Sequence, residues 1–132
     1  MSDVIQPKGW AKPRGYANGM IATGRFLSIA GQVGWDPFNS VPTFPKTFAE
    51  QFDLALSNVV AVLTEGGGKP EHLTRMTVYV TNKHEYIDAL VEVGTAWKKH
   101  VGKHYPAMAL VQVAALLDDR AKVEIQADAV LP

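Results

Sequence analysis

The sequence predicts one α+β domain in which two helices pack on one face of a mixed β-sheet. Apolar residues at steps of three and four predict a helix in each half of the chain, and alternating apolar and polar residues predict strands around them. A length of 132 residues suits a single domain spanning residues 1–132. Hydrophobic residues at 47% and charged residues at 20% are the balance of an ordinary globular protein.

The N-terminal third of the chain is expected to hold a short hairpin between two irregular segments. Proline and glycine interrupt residues 1–19 repeatedly, which predicts an irregular segment. Residues 20–22 and 26–30 are expected to pair as a β-hairpin, with Thr23, Gly24 and Arg25 as the turn. Residues 31–45 contain three prolines and are expected to form a loop that is long enough to be functional or covered by a partner.

The clearest helix is predicted from Thr47 to about Glu65. Thr47 and Glu50 have the spacing of a capping box, and the three glycines at 66–68 suit the end of a helix. Residues 73–81 alternate, so a strand with one apolar face is expected to follow. The apolar face of the helix is predicted from five residues: Phe48, Phe52, Ala55, Val59 and Val62. Glu50, Asp53 and Asn58 are expected mostly on the other faces.

A second helix is predicted after Asn82 and Glu85, which have the spacing of another capping box. Gly102 is expected to end it, and residues 107–115 and 122–131 then predict two strands joined by an acidic turn at Asp118 and Asp119. The apolar face of this helix is predicted from Tyr86, Leu90, Val93, Trp97 and Val101.

This arrangement leaves one face of the sheet without helices. The uncovered face would include Thr77, Tyr79 and part of the apolar run at residues 107–113. Exposed apolar surface of that kind favours association with other molecules or other copies of the chain.

The charge balance and composition narrow the classes of partner and cofactor. The chain has 13 basic and 13 acidic residues, which argues against a broad nucleic-acid or membrane-binding surface. It has no cysteine, so disulfides, cysteine-ligated metals and a cysteine nucleophile are excluded. Residues 1–14 lack the apolar core of a signal peptide and the apolar runs are too short to span a bilayer, so we expect a cytoplasmic protein.

Two polar residues in the last two strands are candidates for chemistry. Glu124 lies on the polar side of an alternating strand, where it could either face solvent or hold a water and shuttle a proton in a cleft. Gln112 is the single polar residue in a long apolar run, so it is expected either to bond backbone groups across an interface or to contact a substrate.

Other motifs give weaker signals. His100 and His104 have the spacing of a metal pair on a helix, but Gly102 lies between them, and a surface cluster with Lys98, Lys99 and Lys103 is the preferred interpretation. No Gly-x-Ser-x-Gly motif is present, and the glycines at 66–68 follow a helix instead of preceding one, which excludes a phosphate-binding loop.

Most of the chain resembles the reactive intermediate deaminase family (RidA, formerly YjgF). The resemblance is strongest at Pro106 to Leu116 followed by Val123-Glu124-Ile125. It extends to Gly15-Tyr16-Ala17, to Ile29-Ala30-Gly31-Gln32-Val33, to residues 48–67 and to Thr77-Val78-Tyr79-Val80.

The resemblance implies a chorismate-mutase-like fold and a homotrimer, in which the bare sheet faces line a central β-barrel and clefts lie between subunits. It also implies hydrolysis of reactive enamines or imines to keto acids and ammonia, with no cofactor and no metal. A glutamate would position water, an arginine would hold the substrate carboxylate, and a tyrosine and backbone groups would complete the cleft.

Carried over residue by residue, Glu124 matches the family's glutamate and Tyr16 its tyrosine, although the local spacing at Tyr16 differs by about a residue. Gly31 and Gln32 match the strand end that contacts substrate, and Ala107 matches a backbone position in the cleft.

Met108 stands where the family has its arginine. Methionine offers only apolar contact, whereas a hydrogen bond to a charged group contributes about 1.5–3 kcal/mol. The substitution therefore predicts an altered substrate preference, and 2-aminoacrylate should be a poor substrate. Leu110 extends the apolar wall beside Met108, and Gln112 and Tyr16 would orient the substrate. Among the arginines, Arg14, Arg25, Arg75 and Arg120 are the candidates to reach the cleft from elsewhere.

Two tryptophans are aromatic candidates for the cleft. Trp97 is expected mainly as a core residue. Trp35 lies in the long loop, where an exposed tryptophan is unfavourable without a partner, so it is as good a candidate for the cleft as for packing.

Three functions are consistent with these features. The first is an imine or enamine deaminase whose substrate lacks the anchoring carboxylate, and the second is a non-catalytic small-molecule-binding protein of the same fold. The third is a ribonuclease or translation inhibitor, which the neutral charge and the absence of a base–nucleophile pair argue against. We expect a small-molecule ligand and self-association, and no nucleic-acid or membrane partner.

Overall fold

A computed structural model describes residues 2–132 of the chain, which form two β-sheets and a layer of helices. The strands are β1 (Ser2–Ile5), β2 (Gly19–Ala22), β3 (Arg25–Val33), β4 (Leu73–Val80), β5 (Ala107–Gln112) and β6 (Val123–Leu131). The helices are α1 (Phe48–Glu65), α2 (Lys83–Asp88) and α3 (Leu90–His100), with a 3₁₀ turn at Pro70–His72. The predicted α+β class with a mixed sheet is confirmed.

The main sheet has four strands in the order β3-β6-β4-β5. Strands β4 and β5 are parallel, and the other two pairs are antiparallel. The predicted hairpin is wrong, because β2 pairs with β1 in a separate two-stranded sheet and β3 pairs with β6. The irregular N-terminal segment is also corrected, since Ser2–Ile5 is a strand whose partner lies fourteen or more residues further on; Met1 lies outside the described residues.

Helix α1 is confirmed with the predicted boundaries. The Glu50 N–H donates to the Thr47 hydroxyl at 3.2 Å, and at the other end the Gly67 and Gly68 N–H groups donate to Thr64 and Leu63. Gly67 has φ +87°, the left-handed conformation that ends a helix. Two side chains depart from the expected pattern: Asn58 is buried, whereas Val62 is exposed.

The second predicted helix is divided at Ala89 into α2 and α3. Asn82 caps it through the His84 N–H, but Glu85 pairs with Lys122 at 3.0 Å instead of completing a capping box. Val93, Trp97 and Val101 are buried as predicted, and Gly102 follows with φ +86°. Tyr86 is half-buried and Leu90 is exposed, so the apolar face is narrower than the sequence indicates.

The core lies between the helices and one face of the main sheet. Alternate residues of β6 are buried there, as are Met76, Val78 and Val80 of β4, because each strand turns every second side chain towards α1 and α3. The opposite face carries no helix and holds Arg75, Thr77, Tyr79, Glu124, Gln126 and Asp128. The predicted uncovered face is therefore present in the chain. None of the helices within residues 2–132 combines the length and hydropathy needed to cross a bilayer.

The loop between β5 and β6 contains the predicted acidic turn and is held by Arg120. Arg120 binds the Asp118 carboxylate at 2.8 Å, donates to the Pro42 carbonyl and stacks over Phe44 at 4.8 Å. It therefore joins this loop to the long loop that precedes α1.

The Arg120 guanidinium lowers the pKa of the Asp118 carboxyl from 3.8 to about 2. A carboxyl with a lowered pKa stabilises the fold above its unfolded pKa and loses that contribution as the pH falls through its folded value. We therefore expect Asp118 to titrate near pH 2 in a carboxyl-detected NMR experiment, and the Arg120→Gln substitution to return its midpoint towards 3.8. An unchanged midpoint in Arg120→Gln would show that the ion pair does not exist in solution.

Candidate functional site

The first part of the candidate site is a cavity on the helix side of β5, which we call the β5 cavity. It has a volume of about 410 Å³ and lies between β5, α3 and the segment at residues 14–16. Apolar and aromatic side chains form most of its wall: Phe52, Val78, Tyr86, Leu90, Val93, Trp97, Tyr105, Met108 and Leu110. Tyr16, Met108 and Leu110 thus line the same cavity.

The backbone holds the N-terminal segment over this cavity. The Ala17 N–H donates to the Pro106 carbonyl at 2.9 Å, and Ala17 forms an isolated parallel bridge with Ala107 at the start of β5. Gly15 has φ +77°, which L side chains rarely adopt, so a glycine is required where the chain turns before Tyr16. Arg14 and Tyr16, on either side of that turn, both line the cavity.

A ring stack and a hydrogen bond position the aromatic wall of the cavity. Trp97 and Tyr105 stack with ring centroids 5.6 Å apart and planes 3° from parallel, and the Trp97 indole donates to the His104 carbonyl at 3.1 Å. The predicted core role of Trp97 is confirmed, since it is only 6% exposed, and one side of it also forms cavity wall. Burial raises the pKa of the Tyr86 hydroxyl above its ordinary value, so this group stays neutral at physiological pH.

The second part of the candidate site is the strand end at Glu124, on the uncovered face of the sheet. Gly31 lies directly beneath the Glu124 side chain, and a Cβ at position 31 would collide with its carboxylate oxygen. Only glycine therefore leaves room for the carboxylate here. A bulge separates Ile29 from Gln32 in β3, and the Gln32 amide donates back to the Ala30 carbonyl across it at 3.2 Å.

Within residues 2–132, the half-buried Glu124 carboxylate takes part in no ion pair and no side-chain hydrogen bond. By contrast, Glu85 is paired with Lys122, and Asp53 with His100 and Lys99. A carboxylate that is partly desolvated and free of a partner can still accept a proton or a hydrogen bond from a bound molecule.

The two parts do not meet within one chain. Glu124 of β6 pairs with Tyr79 of β4, and Tyr79 pairs in turn with Val111 of β5. Ala107, at the cavity end of β5, lies four residues before Val111. Four residues span roughly 13 Å along a strand, and the two intervening strand spacings add about 10 Å across the sheet. Met108 also points to the helix side of the sheet, and Glu124 points to the uncovered side.

Two other candidate residues, Gln112 and Trp35, make hydrogen bonds inside the fold. The Gln112 side chain accepts a hydrogen bond from the Lys83 N–H at 2.9 Å, so the oxygen of this exposed amide helps to begin α2. Trp35 is half-buried, and its carbonyl accepts from Asn58. The Asn58 amide also contacts the Val33 carbonyl at 3.3 Å, which secures the end of β3 to α1.

The two histidines with metal-like spacing bind different partners. His100 pairs with Asp53 at 2.8 Å, and His104 bonds the Leu73 carbonyl at 2.7 Å. Across the described part of the chain, no group of three or more histidine or acidic residues is arranged to hold a metal ion. The two histidines thus contact α1 and β4, whereas Lys98, Lys99 and Lys103 remain exposed at the surface.

Most residues of the cavity wall were not among the candidates predicted from the sequence. Tyr105 was not singled out, although its place directly before Pro106 and the start of β5 brings it against Trp97. Arg14 was one of four arginines that could reach the site, and it is the one that lines the β5 cavity. Of the others, Arg75 lies on the uncovered face of the sheet, and Arg120 is held by Asp118.

Known proteins that are similar in sequence and in structure identify the family of this chain. The family model described as Endoribonuclease L-PSP matches residues 10–131. A RutC family protein of Aquifex aeolicus is 32% identical, over 96% of this chain and 98% of its own. The crystal structure of a Rid family protein of unknown function from Yersinia pestis superposes with a TM-score of 0.85 at 28% identity, over 98% of both chains.

A structure with a bound ligand is also similar. Escherichia coli TdcF, solved with bound serine, superposes with a TM-score of 0.72 at 27% identity, over 98% of this chain and 99% of TdcF. Its name provisionally assigns it to the reactive intermediate deaminases. Because the family match covers nearly all of the sequence and the fold agrees throughout, the chain belongs to the RidA/YjgF family.

Proposed function

We propose that this protein is an enamine or imine deaminase that adds water to a C=N bond and releases ammonia, with a substrate preference altered by Met108. The observation that carries the proposal is the unpaired Glu124 carboxylate seated on Gly31 at a strand end. The resemblance to TdcF, which is named as a deaminase and binds a small amino acid, supports it.

The proposed chemistry needs one group that both accepts and returns a proton. Glu124 takes a proton from water as the water oxygen bonds to the carbon of the protonated imine, which gives a neutral carbinolamine. Glu124 returns that proton to the nitrogen, the C–N bond breaks to free ammonia, and the hydroxyl proton passes to Glu124 as the carbonyl forms. The ammonia then takes this proton from Glu124 and leaves as ammonium, which restores the carboxylate. An enamine first takes a proton at carbon to become the protonated imine.

We further propose that the reacting cleft forms between copies of the chain in a homotrimer. The β5 cavity and Glu124 lie on opposite faces of one sheet, so a single chain cannot present both to one substrate. If a second copy brings its Glu124 strand end to the open side of the β5 cavity, Tyr16, Met108, Leu110 and the Ala107 backbone face Gly31, Gln32 and Glu124. The uncovered sheet face provides surface for that association.

A non-catalytic binding protein of the same fold is the second candidate. Met108 and the mainly apolar β5 cavity favour it, because they bind a ligand without contributing any group that moves protons. The neutral net charge favours a small-molecule ligand over RNA for either function.

The test is a deamination assay on imines generated in situ from a panel of amino acids by an amino-acid oxidase, combined with sedimentation analysis. We expect accelerated keto-acid and ammonia release and a particle of three times the chain mass. Activity that persists after dilution to monomers would overturn the intersubunit cleft. A trimer that binds panel compounds without turnover would favour the binding protein.

A further inference from the structure

The β5 cavity holds one charged side chain among its described lining residues, the guanidinium of Arg14. Arg14 forms no ion pair and no side-chain hydrogen bond within residues 2–132, whereas Arg120 is fully engaged by Asp118 and Pro42. Gly15 and the Ala17–Pro106 hydrogen bond fix the backbone next to it. Arg14 is therefore an unpaired cation held at the edge of an apolar cavity.

The surroundings of the segment at residues 10–17 are also cationic. A second cavity adjoins the first at Tyr16 and Tyr105, and the lysines Lys12 and Lys103 line it. Neither cavity includes an aspartate or glutamate among its described lining residues. An anion that approaches Arg14 thus meets attraction from several sides and no carboxylate that competes for the guanidinium.

The rest of the β5 cavity is suited to an apolar group of substantial size. A volume of about 410 Å³ is within the range of small-molecule sites, and the stacked Trp97 and Tyr105 rings offer a flat wall. Met108 and Leu110 supply adaptable apolar surface beside it.

We propose that the β5 cavity binds a monocarboxylate with an aromatic or branched apolar body, and that Arg14 is the residue that anchors the carboxylate. The body lies against Trp97, Met108 and Leu110, and the guanidinium forms a bidentate pair with the carboxylate. This inference rests on the proposed function in using the same cavity, and it replaces the expectation that the ligand has no carboxylate. The altered substrate preference then concerns the size of the substrate's apolar group and the position of the arginine that binds its carboxylate.

The test is calorimetric titration of the wild-type protein with 3-phenylpropionate, its uncharged amide and propionate. We expect the wild type to bind 3-phenylpropionate about tenfold more tightly than the amide. The difference is modest because solvent exposure reduces the binding free energy that a charge-assisted ion pair contributes. Propionate should bind weakly, and higher salt should reduce the preference for the carboxylate. Arg14→Gln should bind both aromatic compounds equally, with the affinity for the amide unchanged.

Arg75→Gln is the matched control, since Arg75 is exposed on the opposite face of the sheet and should leave the preference for the carboxylate intact. A preference that survives in Arg14→Gln, or a wild type that binds acid and amide equally or neither of them, would overturn the proposal. These measurements use no turnover, so carboxylate binding by an inert protein would refute the deaminase and leave this inference standing.

Discussion

Replacing Glu124 by glutamine is expected to lower kcat for imine hydrolysis by about a hundredfold to ten-thousandfold, the range that general acid–base catalysis contributes. Glutamine preserves the shape of the side chain and its contact with Gly31, but it can neither take the proton from water nor return it to nitrogen. The measurement is keto-acid release under steady-state conditions. Because the loss is confined to the chemical step, we expect KM to change little.

Asp128→Asn is the control for this variant. Asp128 lies on the same strand and the same face, so its substitution makes the same change of charge four residues away. It should leave the activity near the wild-type value. Equal losses in the two variants would mean that acidic charge on the uncovered face matters for assembly and that Glu124 has no role in the reaction.

Gly31→Ala gives an independent view of the same carboxylate. The added methyl group would occupy the space of the Glu124 carboxylate and should displace it, so activity should fall although Glu124 is retained. Gly19→Ala is the comparison, since a Cβ there makes only an ordinary 3.5 Å contact with Ile5. Wild-type activity in Gly31→Ala would show that the position of the carboxylate is not critical.

Replacing Gln51 by leucine is expected to destabilise the fold by about 3 kcal/mol or more, since each buried polar group left unpaired costs about 1–3 kcal/mol. Gln51 is only 1% exposed. Its amide donates to the Pro45 and Arg120 carbonyls at 2.9 and 3.0 Å, and its oxygen accepts from the Lys122 N–H at 2.8 Å. One side chain on α1 thus satisfies three backbone groups from two loops.

Urea unfolding followed by circular dichroism measures this effect. Glu65→Leu serves as the surface control on the same helix, and exposed substitutions of that kind change stability by no more than about 0.5 kcal/mol. A loss in Gln51→Leu that is no larger than in Glu65→Leu would contradict the role of Gln51 in joining the loops.

Patterns among neighbouring residues predicted the helices and strands whose boundaries and buried faces depend on those same residues. Thr47, Glu50 and the glycines at 66–68 place both ends of α1, and the alternation of Met76, Val78 and Val80 gives β4 its buried face. The pairing of β2 with β1 could not be predicted in this way, because the composition of residues 2–5 carries no signal for a partner at residues 19–22. Gln51 was missed for the same reason, since its partners at Arg120 and Lys122 are far along the chain.

The candidate site shows the same division between local and distant causes. Residue types in the last two strands identified Glu124 and Gln112 as candidates, and the resemblance to the family added Met108 and Leu110. Only the alternation of side chains across the sheet shows that Met108 and Glu124 point in opposite directions. The place of Arg14 depends on the turn at Gly15 and on the bond from Ala17 to Pro106, which join segments about ninety residues apart in sequence.

Strand β5 is an edge of the main sheet, and its composition makes that edge prone to aggregation. Residues 107–111 carry no charge and no proline, and Leu110 and Val111 are exposed, which are the properties of a strand that recruits strands from other molecules. The Ala17 bridge covers its beginning, and α2, held by the Gln112 amide, adjoins its end. Residues 2–132 provide no such cover for the middle of the strand, so we expect a variant that weakens the proposed self-association to precipitate rather than yield a soluble monomer.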